Sequence, residues 1–140
     1  MNALVYAHHR DSAGHDAYRS WWEGVVNGPS AFGIADLVLS GFVRVVTHPR
    51  VFDRPLRPVD AMAAAQSIRE RGNARTVKPG DRHWSLFSDL VRTTDAKGGG
   101  VADAYLAALA IESACEFFTC DRGFARYAEL RWRHPLDADQ

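Results

Sequence analysis

Apolar positions along this chain fall at helical spacing in some stretches and in short unbroken runs in others, and the two kinds alternate. Residues 2–9 predict a short helix. Residues 15–26 predict a second, with Tyr18, Trp22 and Val25-Val26 on one face. Asn27-Gly28-Pro29-Ser30 stops it, and Phe32-Gly33-Ile34 reads as a short strand. From Asp36, a candidate cap, a helix runs to about Thr47 with a core-like stripe of Leu37, Val38, Gly41 and Val45. His48-Pro49 ends it, and 51–58 is a loop rich in Pro and Arg.

The alternation continues. Val59-Asp60 opens an Ala-rich helix that closes at Gly72, and Arg75-Thr76-Val77 predicts a strand. Pro79-Gly80-Asp81 is a turn and cap before a helix over 83–92. Lys97-Gly98-Gly99-Gly100 reads as a hinge loop, because it lacks the Lys-Ser/Thr that a phosphate-cradling loop needs after its last glycine. Residues 102–114 are apolar nearly all round, so that helix is expected to be buried. A buried strand over 116–119, a short helix and an edge strand over 130–133 complete the chain. Trp21-Trp22, Trp84 and Trp132 read as core. Strands alternating with helices imply βαβ units and a mostly parallel sheet. In such sheets function lies beyond the strand C-termini. Asp121, just past a strand, and Asp103, at a helix start, belong on that edge.

Length and composition narrow the class. The 140 residues make one domain, 1–140, and its 46% apolar and 24% charged residues are those of an ordinary globular protein. The formal net charge is zero, so no global field points to a nucleic-acid partner. The cations are 15 Arg (17 less Lys78 and Lys97), a bias that a GC-rich genome also produces. Cys115 and Cys120, five apart, match neither a redox pair nor half a zinc site, and are expected to be buried and reduced. No leader or membrane-spanning apolar run is legible, so a cytoplasmic protein with no membrane association is expected.

Two converging carboxylates suit Mg²⁺, a hard cation that keeps several waters. Such a site supports phosphodiester hydrolysis, the metal activating a water and stabilising the departing oxygen. Thr119, two residues before Asp121, points to the same side of its strand and could hold a water or a phosphate. Glu112, nine residues after Asp103, faces the opposite side of the helix and is set aside. His8-His9, His48 and His83 lack metal-ligand spacing and read as surface or loop residues. On spacing alone the plainer readings stand beside these: an Asp at a helix start is commonly a cap, and Asp-Arg-Gly after a strand is commonly a turn.

The chain resembles the VapC-type toxins, PIN-domain ribonucleases of toxin–antitoxin pairs. The resemblance runs end to end and rests on ordered segments: Asn2-Ala3-Leu4-Val5-Tyr6-Ala7-His8, the stretch from Gly41 through Thr47-His48-Pro49 to Phe52, Val101-Ala102-Asp103-Ala104-Tyr105-Leu106, Thr119-Cys120-Asp121-Arg122-Gly123-Phe124 and Leu130-Arg131-Trp132-Arg133-His134-Pro135. It implies a three-layer α/β/α fold, Mg²⁺-dependent endoribonuclease activity (with Mn²⁺ as an alternative), RNA as substrate, a cognate antitoxin and a homodimer. Asp103 and Asp121 match two of the family's acidic positions, and Thr119 its frequent Ser/Thr partner.

The sequence departs from the family pattern twice. The family's first Asp closes a central first strand in the pattern Asp-x-Asn; here Asn2 matches the Asn and Met1 the x, so the Asp and its strand would precede Met1. The family Glu aligns with Gly41, and Asp36, five residues earlier, is the candidate substitute. An incomplete acid cluster keeps other functions in view: a catalytically impaired PIN scaffold that binds antitoxin or RNA without cleaving, and a small-molecule phosphohydrolase. Tyr18, Trp21, Trp22 and Phe42 either line a groove for an antitoxin helix, with an Arg reaching the acidic site, or belong to the core. The genomic DNA is expected to encode, in frame before Met1, an apolar run ending in Asp; a stop codon directly upstream would refute this.

Overall fold

The computed structural model describes residues 1–137. The chain divides into two compact units, Met1–Thr76 and the residues from Val77 onward. The first holds α1 (Asn2–His8), α2 (His15–Val26), β1 (Phe32–Ile34), α3 (Asp36–Val46), α4 (Pro58–Arg69) and β2 (Ala74–Thr76). The second holds α5 (His83–Thr94), α6 (Gly99–Glu112), β3 (Phe117–Phe118), a 3₁₀ helix (Arg122–Arg126) and β4 (Trp132–Arg133).

The α/β alternation and parallel pairing follow the sequence reading. β1 pairs with β2 with Phe32 opposite Ala74 and Ile34 opposite Thr76, and β3 pairs with β4 with Phe117 opposite Trp132. A parallel pair needs a crossover, here supplied by α3 and α4 in the first unit and by the 3₁₀ segment in the second. Among the described residues the strands form two separate two-stranded sheets rather than the single sheet expected.

In the first unit the core gathers Leu4 and Val5 of α1, Ile34 of β1, Leu39, Phe42 and Val46 of α3, and Ile68 of α4. A seven-residue helix is marginal alone; α1 is held by burying Ala3, Leu4, Val5 and Ala7. Helix α3 turns a different face inward from the one expected. Phe42 is fully buried, whereas Leu37 of the expected stripe is 45% exposed. The larger ring claims the core, and Val38, Gly41 and Val45 flank it half-buried. The Met1 side chain packs where a Gly41 side chain would project. Tyr18 and Phe42 thereby leave the expected partner groove for the core, and only the tilted Trp21–Trp22 pair stays half-buried.

Two histidines expected on the surface are buried. The His9 ring stacks on Phe52 at 3.6 Å, its Nε2–H donates to the Arg54 carbonyl (3.0 Å), and its Nδ1 accepts the Asp11 N–H (3.2 Å). His83 Nε2–H donates to the Tyr105 carbonyl at 3.0 Å. A ring with backbone partners can be buried at little cost. Trp84 reverses its expected place and is 73% exposed. Both cysteines are half-buried rather than buried, and Phe118 faces outward beneath the Arg133 guanidinium.

The expected hinge is a helix entry. Gly98 takes φ 54° and ψ −124°, and Gly99 and Gly100 form the first residues of α6. Only the middle of α6 is buried as expected, with Ala104, Ala107 and Ala108 fully enclosed, while Val101 and Ala102 at its start are exposed. Ala104 and Ala107 pack with Phe124, Tyr127 and Leu130 in the second unit's core. Glu112 at its far end accepts the Gly80 and Arg82 N–H groups (2.6 and 2.9 Å), which places it outside any acid cluster, as its helical phase indicates.

Phe42→Ala is expected to cost about 3–5 kcal/mol, the usual range for emptying a buried aromatic site, measured by urea unfolding. Burial lowers the His8 pKa below its ordinary 6.5, against the raising effect of its bond to the Leu4 carbonyl, and His15 lowers it further. Between that lowered value and about 6.5 the unfolded chain binds more protons than the native one, so stability falls as pH drops through this window. Melting temperatures across pH 5–8 are expected to slope less in His8→Gln.

Candidate functional site

In the second unit Asp103 pairs with Arg126, and Asp121 opens the 3₁₀ helix that Arg126 ends. Asp103 sits in the second turn of α6, because that helix starts at Gly99, earlier than expected; Gly98 is the N-cap, so Asp103 is not a cap. Its half-buried carboxylate accepts Arg126 Nη2 at 3.1 Å. Arg126 ends the 3₁₀ helix, so the ion pair spans 23 residues of sequence. The same guanidinium donates to the Tyr127 hydroxyl (3.0 Å) and to the Gly123 carbonyl (2.8 Å).

Asp121 caps the 3₁₀ helix: its Oδ1 accepts the Gly123 N–H at 2.7 Å. The turn reading is therefore correct as local structure, and it leaves Oδ2 outside that bond. The approach is close: a Cβ at Gly123 would come within 2.8 Å of Asp121 Oδ1 and 2.9 Å of Arg126 Nη1. Thr119 is buried immediately after β3. Its Oγ1 accepts the Asp121 N–H at 3.1 Å, and its own N–H donates to the Arg133 carbonyl beside β4. The hydroxyl expected to hold a water or phosphate here fixes the backbone that presents Asp121.

Electrostatics joins the two acids. Tyr127 is 1% exposed, and burial pushes its phenol pKa up; the Arg126 guanidinium pulls it down, while Asp103 and Asp121 both push it up. Both carboxylates thus act on one hydroxyl. Arg126 is held above the ordinary guanidinium value: burial acts to lower it, and its bonds to Tyr127 and Asp103 outweigh that.

Asp36, the candidate substitute acid, lies in the first unit and does not cap α3; Ala35 is the cap residue, and Asp36 accepts Arg69 Nε at 3.0 Å on the surface. Among the described residues no group of three or more His, Cys, Asp or Glu could hold a metal. The two carboxylates do fit magnesium, which often takes only one or two protein carboxylates and retains its waters. Arg126 and Tyr127 escaped the sequence reading. The available signal was an Arg five residues after Asp121 at the end of its turn, beside an aromatic that could anchor it.

These elements define a PIN domain: the PIN domain family model matches residues 2–130. Within that family the chain belongs to the VapC type. It is 46% identical over 137 residues to VapC ribonuclease Mb2897 of Mycobacterium bovis, covering 98% of this chain and 93% of the relative. It is 33% identical to ribonuclease VapC25 of Mycobacterium tuberculosis, covering 96% and 95%. Among solved structures it resembles VapBC2 from Rickettsia felis bound to a DNA fragment from their promoter, with a TM-score of 0.68 at 16% identity over 95% of this chain and 93% of that one. No described helix is long and apolar enough to cross a membrane.

Asp121→Ala is expected to lower stability by about 1 kcal/mol through loss of the cap, and Asp121→Asn, which caps as well, by far less. Urea unfolding of the two variants checks this.

Proposed function

We propose that this protein is a Mg²⁺-dependent endoribonuclease toxin of a toxin–antitoxin pair, with Asp103 and Asp121 as metal ligands and Thr119 as the residue that sets the Asp121 backbone. The observation that carries this reading is that Asp103 pairs with Arg126 at the end of the turn that Asp121 caps, both acids acting on the neighbouring Tyr127 hydroxyl. The ribonuclease names of relatives that match nearly the whole chain support it. When bound, the metal would supply an activated water and charge stabilisation for phosphodiester hydrolysis; Mn²⁺ fits the same hard donors.

The chain's own residues prepare the site. Asp103 projects from a helix packed into the core, so its Cα position is rigid. Asp121 is oriented by two bonds: its own N–H donates to Thr119 Oγ1, and its Oδ1 accepts the Gly123 N–H. A carboxylate held this way needs little reordering to accept a ligand. The VapBC neighbour supports a partner antitoxin that covers the site, and a cytoplasmic homodimer completes the proposal.

A second reading has its own observation. Asp103 is already ion-paired, and among the described residues no third acid joins a metal-binding group. This favours a scaffold that binds antitoxin or RNA with weak or no cleavage. Mg²⁺-stimulated cleavage of a structured RNA by the purified protein separates the two. Under the first reading Asp103→Asn and Asp121→Asn each lose at least the roughly 100-fold that even an outer-shell change at a metal site can cost. Cleavage that survives Asp103→Asn overturns the site assignment. Absence of cleavage by the unmodified protein, with RNA binding retained, selects the scaffold.

A further inference from the structure

We propose that Arg126 is a resident counter-cation of the acidic site, occupying Asp103 until a divalent cation displaces it, and that it thereby sets the threshold of metal affinity. This rests on the metal-site reading above. Three acceptors hold the guanidinium: Asp103 Oδ2 at 3.1 Å, the Tyr127 hydroxyl at 3.0 Å and the Gly123 carbonyl at 2.8 Å. Only the first carries a formal charge. The guanidinium carbon also lies 4.7 Å from the Tyr127 ring centroid and 5.7 Å from that of Phe124, two rings buried in the core.

That arrangement differs from the ion pairs made within single helices. Arg19–Glu23 and Arg92–Asp89 join neighbours on one helix turn and stand largely exposed; such pairs contribute little. Arg126 is partly enclosed and is anchored by neutral groups that persist if Asp103 turns to another cation. Without a metal it offsets the repulsion between two acids that act on the same phenol. With a metal its positive charge stays close to the ligand it has surrendered, and Coulomb repulsion weakens binding of the dication. Two carboxylates alone would bind more tightly than this site does.

The test is Mn²⁺ binding by the full chain, read from the paramagnetic signal of free Mn²⁺, with no RNA present. Arg126→Met, which keeps an apolar stem on the two rings, is expected to tighten Mn²⁺ binding about tenfold, within the range usual for coupled sites. Asp103→Asn is expected to weaken it. Metal-free Arg126→Met is expected to melt below the unmodified protein and to recover more on Mn²⁺ addition. Arg126→Gln, which retains a donor for Gly123 and Tyr127, carries the same expectation where the Met variant does not fold. Unchanged or weaker Mn²⁺ binding in a folded Arg126 variant overturns the inference and leaves the metal site standing. No Mn²⁺ binding by the unmodified protein or any variant overturns the metal-site reading and the inference with it.

Discussion

A helix buried through its middle can carry ionised groups only toward its ends, and only where partners meet them, because an unpaired buried charge is strongly destabilising. Helix α6 obeys this constraint, and the second unit is arranged around it. Its small side chains, Ala104 and Ala107 above all, let Phe124, Tyr127 and Leu130 approach closely. Its two acids, Asp103 and Glu112, lie toward opposite ends and on opposite faces. Arg126 meets the first, and the backbone N–H groups of Gly80 and Arg82 meet the second. One acid thus becomes part of a site and the other a tether for the loop before α5.

The segment from Thr119 to Tyr127 answers α6 from the other side. A Thr hydroxyl holds the Asp121 N–H, the Asp121 carboxylate holds the Gly123 N–H, and Arg126 returns to the Gly123 carbonyl. These three bonds close on one another within the turn, so it holds its shape without a long strand to support it. Phe124 and Tyr127 press its apolar side into the core, which leaves the carboxylates and the guanidinium on the outer side. Asp121 is thereby the cap of this turn, as its plainer sequence reading has it, and capping occupies only one of its two carboxylate oxygens.

The first unit uses aromatic packing and backbone-satisfied imidazoles in place of charge. Phe42 fills the centre, His9 lies flat on Phe52 and fastens the loop at Arg54, and His8 is bonded to its own helix. Its acids are spent on the surface: Asp36 pairs with Arg69 and Asp11 with Arg54. No group capable of metal chemistry assembles among its described residues.

The order of helices and strands, the burial of the middle of α6 and the turn at Asp121 were legible in the sequence, because apolar period and turn chemistry are local properties that neighbouring residues settle together. The inward face of α3 was not, since Leu37 and Phe42 are both apolar and only packing decides which is enclosed. The burial of His9 and His83 was hidden for a related reason: their partners are the carbonyls of Arg54 and Tyr105, 45 and 22 residues away, and a carbonyl leaves no mark in a sequence. Tertiary structure alone also chose Arg126. Of 15 arginines, it is the one whose turn and aromatic platform bring its charge to Asp103, and a contact spanning 23 residues depends on where the chain returns rather than on what stands beside it.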